Sequence, residues 1–377
     1  MSPATKPSAS RGLAGRLRER LGWAVAAAYL AAAVCPAPGV WLRRPRELHA
    51  GNVALSLDLA PALLALVLFC AGLQVSPQAL LRTVRRPVTL LAGLAAHLLV
   101  PLLIIPCLAA VLSRTPDSDG GAGMTTAMIF LTAMPVAAGA TVWTARADGD
   151  QPTMLGLVLA STFLSPLTLP LTLGALAPLV GGDHPGTPAG AARAAGQGFA
   201  LTGVLLPCAA GLLCHIALPA EALAGLRRAA APTAVLASLA LTYLNAAGAL
   251  GRFLAHPAAP LASAAVAVAV FVCALSFLFG RVAGSLLRLD TRARACVTLA
   301  CGMSNSSAGA VLIGAVLPDR PHVLLPVLAY GLLQKLAAQR AVRPPRWRAR
   351  TVWRDWPGRW SRCRQPAASD PPDRHRC

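Results

Sequence analysis

Charged side chains are scarce in this sequence, at 13% of its 377 residues, whereas soluble domains carry about 25%. Hydrophobic residues make up 56% and the mean hydropathy is +0.60. The apolar blocks are long enough to cross a bilayer core, which takes about 20 residues in a helix, and they lack the short alternation of a membrane β-barrel. An ordinary soluble fold is therefore excluded, and the sequence predicts an all-α polytopic membrane protein.

Motifs of catalysis and metal binding are missing as well. The chain has no GxSxG, no phosphate-binding glycine loop, no HExxH and no clustered carboxylate pair, so we expect no enzymatic activity. Its ten cysteines form no CxxC pair and no metal-ligand spacing, which favours a role as small hydrophobic residues. We therefore expect neither a cofactor nor a bound metal ion.

The net charge of +20 comes from Lys and Arg in short connections and in the C-terminal segment. Fifteen basic residues lie in the predicted inner segments before the tail and seven in the outer ones. This bias predicts a multi-pass protein of the plasma (inner) membrane with both termini in the cytoplasm, beginning with a basic segment at residues 1–21. The same location of the charge argues against nucleic acid as a partner, and leaves the lipid bilayer and a small solute.

About ten membrane-spanning helices are predicted in a transporter domain at residues 22–338. Five helices fall in residues 22–176 and five in 197–338. Because five is odd, the second half enters the membrane inverted relative to the first, as in inverted-repeat transporters. The predicted spans are 22–40, 53–75, 87–112, 122–145, 153–176, 197–218, 230–250, 258–283, 294–317 and 321–338.

The fourth and ninth predicted helices occupy equivalent positions in the two halves, and both contain helix-breaking residues. The fourth includes Pro135, which lacks a backbone donor, and Gly139. The ninth includes Gly302 and a run of small residues up to Gly309. Close helix packing through small residues is the alternative interpretation. The paired occurrence favours two broken helices that cross at the centre of the membrane.

The run 133–150, the Ser161-Thr-Phe-Leu-Ser-Pro166 segment and Gly302-Met-Ser-Asn305 together resemble the bile acid:sodium symporter family over residues 20–338. The wider superfamily also includes arsenite exporters. This resemblance implies a panel domain and a core domain, with the two broken helices crossing beside a central cavity. It further implies transport of an organic solute by alternating access. The positive ends of the half-helices favour an anion as that solute.

Most of the family's sodium ligands fail to map onto this chain. Where the family has an oxygen-bearing side chain, this chain has an apolar residue at several positions, among them Ala96, Ala140, Val158 and Ala300. Sodium stripped of water needs about five or six oxygens, preferably with a carboxylate among them. We therefore expect coupling by sodium to be absent, and a proton to be the alternative coupling ion.

The candidate binding residues lie near the expected crossing. His97 lies in the middle of the third predicted helix, where its imidazole could carry a proton. A second intramembrane candidate, Asp58, is expected either to act in transport or to reach the interface. The predicted solute- and ion-binding residues are His97, Thr141, Ser304, Asn305, Ser306 and Ser307.

Two further functions stay open. Arsenite exporters carry a Cys directly after the fourth-helix proline, whereas this chain has Val136 there and offers only Cys301 in the ninth helix. A non-transporting scaffold of the same fold is the other possibility, since the sodium ligands are missing.

The tail at residues 339–377 is rich in Arg, Trp and Pro. It is predicted to be disordered, with attraction to anionic lipid as the alternative.

Overall fold

A computed structural model describes residues 21–44, 46–50, 53–75, 87–114, 121–180, 198–255, 259–317 and 323–341. All of them belong to one compact unit. The predicted basic N-terminus and almost all of the predicted tail lie outside the described residues.

Helices dominate the described chain, and one two-stranded antiparallel hairpin interrupts them. In chain order the elements are α1 (Leu21–Val34), α2 (Ala37–Leu42), β1 (Arg46–Ala50), β2 (Val53–Leu57), α3 (Leu59–Gln74), α4 (Pro87–Leu112), α5 (Ala122–Thr132), α6 (Ala140–Arg146), α7 (Gln151–Leu176), a 3₁₀ turn (Ala177–Val180), a π-helix (Phe199–Leu205), α8 (Leu206–Ala217), α9 (Ala220–Ala255), α10 (Ala259–Leu286), α11 (Thr291–Gly302), α12 (Ser306–Val316) and α13 (Leu324–Ala341).

Five helical segments are long and apolar enough to cross a membrane, and four shorter helices are also apolar. Apolar side chains on the outside of α4, such as Val88, Leu91 and Leu103, are exposed. Such a surface is stable in lipid, where backbone groups are satisfied inside each helix. The prediction of a helical, multi-pass membrane protein is therefore confirmed. The long segments are Pro87–Leu112, Gln151–Val180, Phe199–Ala217, Ala220–Gly251 and Ala259–Leu286.

Several predicted boundaries are wrong. The second predicted helix includes residues 53–57, which instead form β2, so Asp58 is an exposed residue directly before the first residue of α3 and not a residue five positions into a helix. The first predicted helix is interrupted before Ala37, because Pro36 cannot continue the hydrogen bonding of α1. The seventh begins ten residues earlier than predicted, since Arg227 and Arg228 continue a helix although they lower its hydropathy.

Two groups of helices pack mainly among themselves. The panel consists of α1, α3, α8 and α9, in which α3 packs on both α8 and α9, and α9 on α1. The core consists of α4–α7 and α10–α13, in which α10 packs on α4, α11 and α13. Contacts within each group outnumber those between the two groups.

Glycines allow α3 and α8 to meet backbone to backbone in the panel. A Cβ atom at Gly72 would overlap the carbonyl oxygen of Cys208, and one at Gly211 would overlap the carbonyl oxygen of Phe69. Small residues permit such close approach between membrane helices, where packing contributes more than the hydrophobic effect. The contact joins the two helices along main-chain atoms, which cannot rotate away.

Candidate functional site

The site begins with two interrupted helices. The first pair of half-helices, α5 and α6, is separated by residues 133–139, which include both Pro135 and Gly139. The second pair, α11 and α12, is separated by residues 303–305, directly after Gly302. Each interruption leaves backbone groups without helical partners, and these must find partners elsewhere inside a membrane.

The two interruptions cross and pair with each other. Ala137 N–H donates to the Met303 carbonyl at 2.8 Å, and Asn305 N–H donates to the Pro135 carbonyl at 3.0 Å. Val136 and Ser304 form an antiparallel bridge between these two bonds. This miniature sheet satisfies two N–H groups and two carbonyls of the breaks, one of each from either side.

Side chains cap the carbonyls that the breaks leave open. The ring nitrogens of His97 lie 3.0 Å from the Ala300 oxygen and 3.1 Å from the Met134 oxygen. Tyr330 donates its hydroxyl to the Gly302 carbonyl at 3.1 Å. His97 is 3% exposed, so it stands behind the crossing and bridges the last turn of α11 to the chain just after α5.

A cavity of about 500 Å³ lies between panel and core. The panel contributes mostly apolar side chains, for example Leu64 and Leu241, whereas the core contributes both breaks, for example Ala137 and Asn305. A largely apolar cleft of 300–1,000 Å³ with a few convergent polar groups is typical of a site for a small molecule.

The structure brings some of the predicted binding residues together and separates others. Thr141, Asn305, Ser306 and Ser307 line the cavity, as does Gly139. His97 and Ser304 do not line it, and they are buried behind the crossing. Four of the six predicted binding residues therefore line the cavity, and the other two are buried behind them.

Asn305 has two roles at the start of α12. Its side-chain oxygen accepts from Ala308 N–H at 3.1 Å, which caps the helix. No described residue accepts a hydrogen bond from its amide nitrogen. A donor thus remains at the cavity wall, next to the positive end of α12.

Sequence reasoning missed two cavity residues on α13, Gln334 and Lys335. The available signal was a charged residue inside an apolar helix, which marks a functional site by default in membrane proteins. Lys335 lies three residues before the end of the predicted span at residue 338.

The residues present do not fit the sodium sites that the resemblance implies. Ala96, Ala140 and Ala300 carry no side-chain oxygen and are buried. The retained hydroxyl of Thr141 already donates to the Ala138 carbonyl at 2.8 Å. The Ala300 carbonyl, at the helix-nine position of the pattern, faces the His97 ring. No group of three metal-ligating side chains occurs in the described part of the chain.

The thiols give no support to arsenite transport. Cys301 is fully buried and does not line the cavity. Val136 does line it, at the position where the exporters carry their cysteine. Among the described cysteines Cys208 alone reaches the cavity wall, so no second soft ligand is present to hold a metalloid.

The helix-break geometry and the cavity fit a carrier, and comparison with known proteins identifies its family. No curated protein matches the sequence. The family model described as the Sodium Bile acid symporter family matches residues 61–256, just over half of the chain. The match includes α3–α9 and therefore the first break, while the second break lies beyond it. The chain belongs to the sodium bile acid symporter family, whose members are membrane transporters rather than enzymes.

Proposed function

We propose that this protein is a secondary active transporter that carries an organic anion by alternating access. The observation that supports this most directly is the cavity between panel and core, with both helix breaks in its wall. A rocking motion of one group against the other would expose that cavity first to one side of the membrane and then to the other.

The charge preference follows from the half-helices. α12 is an eleven-residue helix that begins at Ser306 on the cavity wall. Its first turn presents the positive end of the helix dipole to the cavity. Asn305, Ser306 and Ser307 add side-chain hydrogen-bond capacity at the same place, so a carboxylate or a similar anionic group is favoured there.

The membrane arrangement in this proposal has ten spans in two inverted halves. The breaks at residues 133–139 and 303–305 correspond to the fourth and ninth spans, and their reciprocal pairing is what a two-fold related pair would form. The protein would lie in the plasma (inner) membrane with both termini in the cytoplasm, as the distribution of Arg predicts.

A proton on His97 is the proposed coupling ion. Each ring nitrogen faces a carbonyl oxygen, and only the doubly protonated imidazole can donate to both. The two carbonyls also lie at the C-terminal ends of α5 and α11, where helix dipoles favour a cation. No charged side chain of the described residues contacts the ring, so the proton would be held by these two dipoles.

The experiment that tests transport uses purified protein in proteoliposomes. We expect cholate or 4-hydroxycyclohexanecarboxylate to enter faster than into protein-free vesicles. Uptake at the protein-free rate for both acids would contradict the proposal and favour a non-transporting scaffold of this fold.

His97→Gln should remove coupling to protons. Glutamine offers donors but cannot gain or lose a proton near neutrality. In wild type, an inward proton gradient is expected to accelerate uptake of the same acids, whereas the variant should show no acceleration. His215→Gln is the matched control, because the His215 ring bonds a single carbonyl, that of Leu73, at 2.8 Å. Acceleration that persists in His97→Gln would contradict a role for this side chain.

Sodium should not change the melting temperature of the protein. Melting temperatures measured in detergent are expected to be the same in sodium chloride and in N-methylglucamine chloride at equal ionic strength, because the mapped sodium ligands are missing. A rise in the melting temperature that is specific to sodium at millimolar concentration would show that backbone carbonyls at the breaks suffice to bind it.

A further inference from the structure

Helix α13 carries the one charged side chain among the described residues that line the cavity, Lys335. The chain contains only two lysines, the other being Lys6, and all its remaining basic residues are arginines. No Asp, Glu or Arg of the described residues lines the same cavity. The ammonium group is therefore a lone positive charge in a mostly apolar wall.

The Lys335 side chain points back along its own helix. Lys335 donates to the carbonyl of Gly331, one turn earlier, at 3.0 Å. It therefore points toward the N-terminal end of α13, away from the end at Ala341. One of its three donors is used, and two remain.

Polar groups lie beside Gly331, the residue whose carbonyl accepts from the Lys335 ammonium. Gly331, whose carbonyl holds Lys335, lies against the Ser306 hydroxyl, which would be 3.0 Å from a Cβ at that glycine. Gln334 donates its amide N–H to the same hydroxyl at 3.1 Å. Its side-chain oxygen is buried and has no partner among the described residues, although Gln334 is 2% exposed and lines the cavity.

The Lys335 ammonium lacks a counter-ion in the cavity wall, and the Gln334 side-chain oxygen lacks a donor among the described residues. A partly buried charge without a counter-ion and a buried acceptor without a donor each raise the free energy of the empty protein. One molecule can correct both defects if it brings a carboxylate for the ammonium and an O–H or N–H for the glutamine oxygen. A carboxylate here would also face the N-terminal turn of α12, at Ser306.

We propose that Lys335 and Gln334 form the anion subsite of this carrier. The subsite selects an organic acid that also carries a hydroxyl or amide donor for the Gln334 oxygen. This inference rests on the proposed transport function and assigns its charge selectivity to α13, in addition to the helix breaks.

The test compares acids with their neutral amides in purified protein. The probes are cholate and 4-hydroxycyclohexanecarboxylate, each paired with its primary amide, and the readout is an apparent Kd from thermal shifts in detergent. Wild type is expected to bind each acid more tightly than its amide. Lys335→Met should weaken acid binding by about tenfold or more while the amide Kd stays the same. Lys335→Arg should keep the preference for the acid.

Arg340→Met is the matched control, because Arg340 lies on the same helix but is exposed and does not line the cavity. An acid preference that survives in Lys335→Met would overturn the subsite and leave the proposed transport of anions standing. A wild-type protein that binds acids no better than amides would overturn both. A loss of preference in Arg340→Met as well would mean that surface charge, and not the subsite, attracts the acids.

Discussion

Gly211→Val is expected to lower the free energy of unfolding by about 3 kcal/mol, the upper part of the range for overpacked cores. The added carbon would overlap the Phe69 carbonyl oxygen, and it would lie 2.8 Å from the backbone nitrogen of Leu73. Both are main-chain atoms, so no rotamer change relieves the overlap. α3 and α8 must separate, and the contact between Gly72 and Cys208 opens with them.

The measurement is the melting temperature of the purified variant in detergent. Gly225→Val provides the control, because Gly225 also lies in a panel helix, α9, but a Cβ there meets nothing within 4 Å. The control is expected to melt close to wild type. Equal melting temperatures for the two variants would show that α3 and α8 are not packed as tightly as described.

Asn305→Ala should reduce transport by about tenfold or more, the expected effect of losing one hydrogen bond to a charged group. It should also cost about 1 kcal/mol of stability, because alanine cannot cap α12. Uptake of cholate into proteoliposomes measures the first effect, and the melting temperature measures the second.

Asn305→Asp separates the two effects. A carboxylate at this position still accepts from Ala308 N–H, so the cap and the stability should be retained. It places a negative charge on the cavity wall, which should abolish the uptake of an anion. Wild-type uptake in both variants would indicate that the crossing does not bind the solute. Wild-type stability together with no uptake in any form, wild type included, would favour a scaffold.

The sequence predicts the breaks well because their causes are local. Pro135 removes a donor and the small residues after Gly302 permit close approach, so both interruptions are visible in the amino-acid order. The contacts of His97 are not visible there. Its two carbonyl partners lie 37 and 203 residues away, and only the folded chain brings them to opposite nitrogens of one ring.

The errors have physical reasons as well. Residues 53–57 are apolar and continuous with α3, so hydropathy alone assigns them to a helix, whereas the turn-forming Gly51-Asn52 pair favours a hairpin. Lys335 lies inside the predicted span 321–338, where hydropathy averages a single charge with its apolar neighbours. Hydropathy does not encode which way such a side chain points.

The pairing of the two breaks constrains how the protein is made. When the ribosome has produced only the first half, Ala137 N–H and the Pro135 carbonyl have no acceptor or donor yet, because Met303 and Asn305 are not synthesised. Unpaired backbone groups are costly in hydrocarbon. We therefore expect the segment from α5 to α6 to need a hydrated or chaperoned environment until α11 and α12 are made, and a fragment ending after α7 to be a substrate for membrane quality control.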